Sequence, residues 1–339
     1  MTIKIVGSRP KIKRLVTGLY TLDRACTNDL GEIGIPIGTG YEIFGLTGTG
    51  KSTLCYSLAG IIGRELKGNI VLSDFEGYDE VFFIRVLTTQ GFDGVIHSTY
   101  DKIDEKQLDK LVELMNEKEN VVSILDSIGA VAPLAETKGD IGDRNMGGRG
   151  FIMAQFSRQM IKLFRSEENK VLFMTNHWYP KLGSYGYTTP GGEVKKYLAT
   201  VRIKLERIIV DKTGGKKHFP DGSYVLLGTV AKNRWGYQDR TFNIFVLAGL
   251  GVHIGMTALW DCVALKLAKY YKTQVFIGKE SIGKLGHFAK AAKQGETEVF
   301  APFHKLLEEY NGKDTTEDIG EEGADDANAD SEEGSKVDN

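Results

Sequence analysis

The sequence has few of the residues and runs that define disulfide-bonded, metal-bound or membrane-spanning proteins. Three of its 339 residues are cysteines, Cys26, Cys55 and Cys262, and their spacing matches no disulfide framework or zinc motif. Apolar runs fall short of the ~20 residues that a membrane-spanning helix needs. Residues 1–10 lack the apolar core of a signal peptide. We therefore expect a soluble protein of a reducing compartment, with the cysteines buried as small apolar side chains.

Net charge is also low, at −2, but the charges are unevenly distributed. Residues 314–339 contain eleven acidic residues and one lysine, a net charge of −10, so the rest of the chain carries +8. A basic body joined to an acidic tail is typical of a polyanion-binding surface with a built-in competitor. A solvated tail that only aids solubility is the alternative. The scarcity of large apolar residues from Thr315 onward predicts disorder there.

The chain does contain a phosphate-binding motif. Residues 45–52 match the pattern G-x-x-x-x-G-K-[ST] at every fixed position, between an apolar strand over 41–44 and a helical pattern over 52–62. Its glycines let backbone N–H groups surround phosphate oxygens, Lys51 adds a positive charge, and the Ser52 hydroxyl is a Mg²⁺ ligand. Because the chain has 41 glycines, a chance match is the weaker alternative. The predicted nucleotide contacts are Gly45, Leu46, Thr47, Gly48, Thr49, Gly50, Lys51, Ser52 and Thr53.

Two further apolar runs end in acidic residues. Residues 69–76 end in Asp74 and Glu76, and residues 120–126 end in Asp126. Ligands of open parallel sheets bind beyond the carboxyl ends of the strands, so we expect these acids beside the phosphate motif. Asp126 is predicted to hold Mg²⁺ together with Ser52, and a carboxylate in the position of Asp74 or Glu76 can orient and polarise the attacking water. For Asp74, capping of the next helix explains the residue about equally well.

A third apolar run, 170–177, ends in His177. A polar side chain at that strand end can touch the terminal phosphate and report its presence. For an isolated histidine, a hydrogen bond to a neighbouring carbonyl would be the better explanation, but the strand-end position favours the functional one. The predicted nucleotide contacts also include Phe83, on a helix predicted over 78–90.

Two polar, glycine-rich segments, 136–150 and 178–194, are predicted to be mobile loops. The second combines aromatic residues, a lysine and glycines, which suits a segment that orders on single-stranded nucleic acid. A surface loop with incidental tyrosines is the alternative. Further along, residues 253–271 are predicted to be largely helical, 273–286 to form short strands and turns, and 288–310 to be helical, together as a small separate domain.

These motifs together resemble the RecA-type recombinases, with similarity to the phage UvsX-like branch, over nearly the whole chain. Residues 17–23 are similar to the family's lead-in segment, 45–52 to its Walker A motif and 125–127 to its Walker B motif. The resemblance implies an α/β fold: a P-loop ATPase core with a twisted, mostly parallel sheet, a small α+β C-terminal domain and a disordered acidic tail. The implied divisions are an oligomerisation arm over 1–40, the core over 41–250, a duplex-DNA-binding domain over 251–312 and the tail over 313–339.

The resemblance also implies roles for single residues. Glu76 would be the hydrolytic base, and Lys232 and Arg234 would reach the nucleotide of the neighbouring subunit. At the position of His177, bacterial members usually have glutamine, whereas the phage branch has histidine. Segments 136–150 and 178–194 would be the DNA-binding loops. Phe151 occupies the position of a DNA-contacting arginine, which leaves Arg149 or Arg158 as its replacement. The implied DNA contacts are Met146, Gly147, Arg149, Arg158, Lys181, Gly191 and Gly192.

We therefore expect a DNA-dependent ATPase of DNA recombination and repair that uses ATP and Mg²⁺, with Glu76, Lys51 and His177 as catalytic residues. It would form homo-oligomeric filaments on single-stranded DNA, pair them with double-stranded DNA, and meet single-strand-binding and loader proteins in a bacterial cytoplasm. One alternative is a ring-forming helicase motor, although segment 1–40 is too short for a helicase collar. Another is a nucleotide-gated DNA-binding mediator without turnover, against which Lys51 and Glu76 argue.

Overall fold

The structure is a computed structural model that describes residues 12–100, 104–134, 148–180, 187–191, 195–208 and 222–311. Its strands are, in chain order, β1 (Arg14–Leu15), β2 (Ile35–Pro36), β3 (Thr39–Gly45), β4 (Asn69–Asp74), β5 (Ile96–Ser98), β6 (Val121–Asp126), β7 (Lys170–His177), β8 (Tyr179–Pro180), β9 (Tyr187–Thr188), β10 (Ala199–Ile208), β11 (Tyr224–Asn233), β12 (Thr241–Leu247), β13 (Gly251–Val252), β14 (Ala268–Tyr271), β15 (Gln274–Ile277) and β16 (Glu280–Lys284).

The α-helices of the described residues alternate with these strands through most of the chain. They are α1 (Tyr20–Ala25), α2 (Lys51–Leu66), α3 (Glu80–Thr89), α4 (Lys106–Glu117), α5 (Gly148–Ser166), α6 (Lys195–Leu198), α7 (Ile254–Ala264), α8 (Leu285–Gln294) and α9 (Ala301–Asn311). Short 3-10 turns lie at Ile128–Ala130 and Glu298–Phe300. The strands and helices predicted between residues 41 and 177 are confirmed, with ends that differ by a few residues.

One nine-stranded sheet, in the order β13-β12-β11-β10-β3-β7-β6-β4-β5, forms the centre of the described structure. The strands from β10 to β5 in this order pair in parallel, and β10 to β13 pair antiparallel. The central strands read as continuous apolar runs because parallel strands covered by helices are buried on both faces. The predicted α/β fold with a mostly parallel sheet is therefore confirmed.

Two apolar cores cover the opposite faces of this sheet. Side chains of α1, α2 and α3 pack with Ile70 and Phe173 on one face, and side chains of α4 and α5 pack with Val71 and Leu172 on the other. Neighbouring residues of a strand thus contribute to different cores, as the two-residue period of a strand requires. This packing fixes the carboxyl ends of the central strands relative to α2.

A third core joins the segment after residue 250 to the sheet. Phe245 of β12 packs with Met256, Phe288 and Phe303, and all four side chains are buried. The strand β13 also lies in the main sheet, paired with β12. The division at residue 250 therefore falls between two paired strands, and a separate C-terminal domain stays a prediction.

One predicted helical stretch of this segment is wrong. Residues 268–271, expected at the end of a helix, form β14, which pairs with β15 across a short turn. Lys266 and Lys272 flank this strand with positive φ angles of 59° and 55°, which end a helix and turn the chain. Tyr270 and Tyr271 favour an extended conformation. The strands predicted within 273–286 and the helices predicted within 288–310 are confirmed.

The buried cysteines match their predicted character. Cys26, Cys55 and Cys262 are free thiols without exposed surface. None of the helices in the described residues is both long and apolar enough to cross a membrane. The acidic tail over 313–339 and residues 1–11 of the predicted arm lie outside the described residues.

Candidate nucleotide-binding site

The predicted site residues meet at the carboxyl edge of the sheet. Strands β3 and β7 are paired so that Gly45 lies opposite His177, and β4 and β6 are paired so that Asp74 lies opposite Asp126. The loop that follows β3 leads directly into α2, with Lys51 as the first helical residue. Parallel pairing therefore brings four strand ends and one helix N-terminus to the same place, as predicted from the chain order.

Glycine is required at two positions of this loop. Gly48 and Gly50 have φ angles of +77° and +92°, in the left-handed region that favours glycine. At Gly50 a Cβ atom would also lie 2.5 Å from the hydroxyl oxygen of Tyr224, which comes from β11. The hydroxyl of Thr49 donates to the carbonyl of Leu46 at 2.9 Å and closes the turn. These features fix the conformation of the loop at the N-terminus of α2.

Lys51 points back into this loop. Its Nζ donates to the carbonyl of Leu46 at 3.0 Å and to that of Gly45 at 3.3 Å, and the side chain is buried. Burial lowers the pKa of Lys51, while the nearby carboxylates of Asp126 and Glu76 raise it. Its positive charge thus lies at the loop between these two acids, where it can interact with phosphate oxygens.

Asp126 and Ser52 supply the oxygen atoms predicted to hold Mg²⁺. Asp126 is buried and accepts hydrogen bonds from the hydroxyls of Thr175 and Ser52. Burial raises the pKa of Asp126, and these hydrogen bonds lower it in part. Among the described residues, no three His, Cys, Asp or Glu side chains converge as a closed metal site. One carboxylate and one hydroxyl fit Mg²⁺, which takes few protein ligands and keeps waters and phosphate oxygens.

Glu76 and His177 contact each other across the site. The ring Nε2 of His177 lies 2.9 Å from Glu76 Oε1, which also accepts from the hydroxyl of Ser127. Burial raises the pKa of Glu76, but the hydrogen bonds from Ser127 and His177, together with the charges of His177 and Lys51, outweigh burial, so its pKa is lowered overall. On its other side, His177 Nδ1 lies 3.4 Å from the hydroxyl of Thr47 in the phosphate loop. His177 thus connects the phosphate loop to the predicted base.

Asp74 plays a different part from its neighbour Glu76. Its carboxylate accepts from the backbone N–H of Gly77 at 2.7 Å and from that of Glu76 at 3.4 Å. Burial, followed by the charge of Asp126, raises the pKa of Asp74 to about 6. The expectation that Asp74 caps the next helix is wrong, because Asp79 is the N-cap of α3 and accepts from the backbone N–H of Phe82. The Asp74 carboxylate instead closes the turn that presents Glu76.

Phe83 differs from its predicted role as a nucleotide contact. Its side chain is 1% exposed and packs in the core of α2 and α3, with its ring 4.7 Å from that of Tyr56 and 5.7 Å from that of Tyr78. A helix that packs on the sheet buries its most apolar face, and Phe83 lies on that face. Phe83 is therefore part of the core that α2 and α3 form, and its side chain has almost no surface that a nucleotide could contact.

The two predicted cations of a neighbouring site lie at the end of β11. Lys232 is half-buried, and its Nζ donates to the carbonyls of Lys196 and Ala199. Burial, and then the nearby charges of Arg234 and Arg202, lower the pKa of Lys232. Arg234 is exposed. Their contact with the nucleotide of another subunit stays a prediction.

The predicted DNA contacts are only partly within the described residues. Arg149 is half-buried, and its Nε donates to the carbonyl of Val131 at 2.7 Å, which ties the start of α5 to the chain before it. Arg158 is exposed on α5, and Gly191 has a φ angle of +94°. The other predicted contacts lie outside the described residues: Met146, Gly147, Lys181 and Gly192.

Several residues of the site were not predicted. Thr175 and Asn176 are polar residues at the end of an otherwise apolar strand, and Ser127 directly follows the Walker B aspartate, so their positions gave a usable signal. Tyr224 gave none: it lies far along the chain and reaches the phosphate loop only through the antiparallel half of the sheet. Arg207 also gave no sequence signal, although its guanidinium lies 3.9 Å from the centre of the Tyr224 ring.

The fold and the site define a P-loop nucleotide-binding protein with a mostly parallel central sheet. The RecA N-terminal domain family matches residues 3–249, which is more than half of the chain, and the chain therefore belongs to the RecA family of recombinases. Its similarity to the bacterial proteins named RecA extends beyond that segment. The protein RecA of Solidesulfovibrio magneticus is 31% identical over 306 residues, an alignment that covers 89% of this chain and 83% of that protein.

Two other relatives show the same level of similarity. The protein RecA of Wolinella succinogenes is 29% identical over 301 residues, which cover 87% of this chain and 82% of that protein. The protein RecA of Nitratiruptor sp. is 31% identical over 208 residues, which cover 60% of this chain but only 58% of that protein. The matched region thus spans little more than half of the Nitratiruptor protein and most of the other two.

Proposed function

We propose that this protein is a DNA-dependent ATPase that forms filaments on single-stranded DNA and catalyses homologous pairing and strand exchange. The observation that carries the proposal is the position of His177. Its ring contacts both Glu76 and the phosphate loop, and the chain runs from it directly into the predicted second DNA-binding loop. Membership of the RecA family supports the same reaction class.

ATP would be bound by the loop between β3 and α2. The N-terminus of α2 and the ammonium group of Lys51 both favour the negative phosphates. Ser52 and Asp126 would hold Mg²⁺, which when bound neutralises charge on the phosphate oxygens. Lys232 is half-buried and Arg234 is exposed, both at the end of β11. From a neighbouring subunit of the filament, these two cations would complete the site.

Glu76 would take the proton of the attacking water, and His177 would control when it does so. In the structure the carboxylate of Glu76 accepts from both His177 and Ser127, and its lowered pKa keeps it ionised. When the His177 N–H turns to a terminal phosphate oxygen, Glu76 loses one donor and gains capacity to accept a proton. The same turn would move the start of the loop after His177 and thereby couple nucleotide state to DNA binding.

The DNA would bind along the filament through the two loops and the basic body of the chain. The body carries a net charge of +8 and the tail a net charge of −10. Contacts between lysine or arginine and phosphate make binding strongly salt-dependent. The segment after residue 250 would gather duplex DNA, with the acidic tail as a competitor for that surface. Single-strand-binding and loader proteins are the partners that we expect for such a filament.

The test is a strand-exchange and DNA-binding assay with wild type, Lys51→Ala and the matched control Lys67→Ala. Lys67 follows the last residue of the same helix, is exposed, and lies at the end remote from the phosphate loop. We expect Lys51→Ala to abolish exchange and Lys67→Ala to retain it. Equal coating of single strands by the wild type with ATP, ADP or no nucleotide would refute the proposal. Electron micrographs that show closed rings instead of open filaments would favour the helicase alternative.

A further inference from the structure

A buried polar cluster lies directly behind His177, and we name it the Asn176 cluster: Asn176, Glu42 and Arg202. The side chain of Asn176 has no exposed surface, and its polar atoms are all engaged. Its Nδ2 donates to Glu42 Oε1 at 2.8 Å and to the carbonyl of Pro190 at 3.0 Å, while its Oδ1 accepts from the backbone N–H of His177 at 3.0 Å. One amide group thus joins the strand end, the sheet interior and the far end of the second loop.

The orientation of this amide is fixed by an ion pair whose carboxylate is buried and whose guanidinium is partly exposed. Glu42 is fully buried in the middle of β3, and its Oε2 accepts from Arg202 Nε at 2.6 Å. The other oxygen of the same carboxylate faces Asn176, so the Asn176 amide must point its donor nitrogen toward Glu42. A buried carboxylate is costly unless it is paired and its remaining lone pairs are satisfied. Rotation of the Asn176 amide would leave that oxygen facing another oxygen.

The described ends of the second loop rest against the same cluster. The guanidinium of Arg202 lies 4.8 Å from the centre of the Phe44 ring, and Phe44 in turn lies edge-on to Trp178 at 6.5 Å. Trp178 stacks on Tyr187 at 4.1 Å, and β8 pairs with β9. Residues before and after 181–186 are therefore held together and packed on the strand that carries Glu42.

We propose that Asn176 is a positioning residue that transmits the nucleotide-dependent movement of His177 to the second loop. The Asn176 Oδ1 accepts a hydrogen bond from the His177 backbone N–H, and the Asn176 Nδ2 donates one to the Pro190 carbonyl. These two hydrogen bonds make the strand end and residue 190 move together. The Glu42–Arg202 ion pair fixes the amide in the orientation that makes both contacts. This inference rests on the proposed function, in which His177 reads the terminal phosphate, and it adds the connection by which the loop responds.

The test is Asn176→Asp, with Asn116→Asp as the matched control. Aspartate has nearly the same shape but donates nothing, so its oxygen would face the oxygens of Glu42 and Pro190. Asn116 makes an amide-to-carbonyl hydrogen bond of the same length, 2.8 Å to Val112, but is exposed on α4. For each variant we would measure affinity for a fluorescent ATP analogue, and affinity for fluorescein-labelled oligothymidylate with and without Mg²⁺ and ATPγS.

For Asn176→Asp we expect wild-type nucleotide affinity and an ATPγS-dependent gain in DNA affinity that is about tenfold smaller, equivalent to about 1.4 kcal/mol of lost coupling. Asn116→Asp should match the wild type in both measurements. A full gain in Asn176→Asp would overturn the inference. So would a parallel loss of nucleotide and DNA affinity, since that would show a purely structural role.

A second variant, Glu42→Gln, decides the question if Asn176→Asp does not fold. Because the charged Arg202 is the stronger donor, the glutamine carbonyl should turn to it, which leaves the glutamine NH₂ facing the NH₂ of Asn176 and removes the acceptor of Asn176. The same selective loss of the ATPγS-dependent gain should follow, and a full gain in Glu42→Gln would overturn the inference. If ATPγS does not raise the DNA affinity of the wild type, the proposed function fails. If ATPγS raises the DNA affinity of the wild type and of both variants equally, only this inference fails.

Discussion

The replacement Glu76→Gln tests the site most directly because the structure predicts what it keeps and what it removes. The glutamine carbonyl can still accept hydrogen bonds from Ser127 and His177, the two donors that hold the Glu76 carboxylate. The side chain is 38% exposed, so the change buries no new unpaired group. Stability and nucleotide affinity should therefore stay close to those of the wild type, while the capacity to take a proton is lost.

The expected size of the loss follows from the role assigned to Glu76. Removal of a positioned general base lowers a rate by about 10²- to 10⁴-fold. Because the pKa of Glu76 lies below its ordinary value of 4.5, the wild-type carboxylate is ionised throughout the neutral range. The part of kcat/KM that depends on Glu76 should thus be constant at neutral pH and decline only as pH falls through this lowered pKa, because kcat/KM reports the protein without bound nucleotide.

The assay is phosphate release in the presence of single-stranded DNA, with Glu65→Gln as the control. Glu65 is about as exposed as Glu76 and is also paired with a basic residue, since it accepts from Arg64 at 2.8 Å on the outer side of α2. Glu65→Gln should keep wild-type turnover. Near-wild-type turnover in Glu76→Gln would show that Glu76 is not the base. Equal losses of turnover and ATP affinity would show that it contributes to binding instead.

Three further predictions follow from other parts of the chain. Gly50→Ala should weaken ATP binding, because φ is +92° and the added Cβ would meet Tyr224; unchanged affinity in a fluorescence titration would contradict this reading of the loop. Burial raises the pKa of Asp261 from 3.8 to about 8, so the folded state holds this proton more tightly than the unfolded state. The contribution of Asp261 to stability should then fall as pH rises from about 4 to about 8, by at most about 6 kcal/mol. Asp261→Asn should flatten that slope in urea unfolding measured across pH, and an unchanged slope would refute the assignment. Deletion of residues 314–339 should strengthen binding to duplex DNA, and an unchanged affinity and salt dependence would refute the competitor role of the tail.

Much of the site could be predicted because its residues lie at the ends of apolar strands. The runs before Asp74, Asp126 and His177 are long enough to be strands, and the phosphate motif fixes one more strand end beside them. Parallel pairing then has only one consequence for these ends: they lie at the same edge. Local sequence and simple topology were therefore sufficient for the central residues of the site, while the fold class followed from the resemblance that these motifs carry.

What could not be predicted depends on contacts between distant segments. Phe83 is apolar and follows the phosphate motif, but only the packing of α3 on α2 shows that its ring faces Tyr56. The stretch 268–271 became a strand because a partner, β15, lies within reach after a tight turn. The position of Tyr224 against Gly50 depends on the antiparallel half of the sheet, whose order cannot be derived from residue patterns.

The end of β7 shows how one strand can serve two sites at once. Successive side chains of a strand point to opposite sides, so His177 and Asn176 cannot face the same partners. His177 points to Glu76 and Thr47, where the nucleotide is expected, and Asn176 points to Glu42 and Pro190, beneath the second loop. Because the two residues are covalently adjacent and hydrogen-bonded to each other, movement of one shifts the contacts of the other. Coupling between nucleotide and DNA would then need no large rearrangement of the sheet, only a shift at the tip of a single strand.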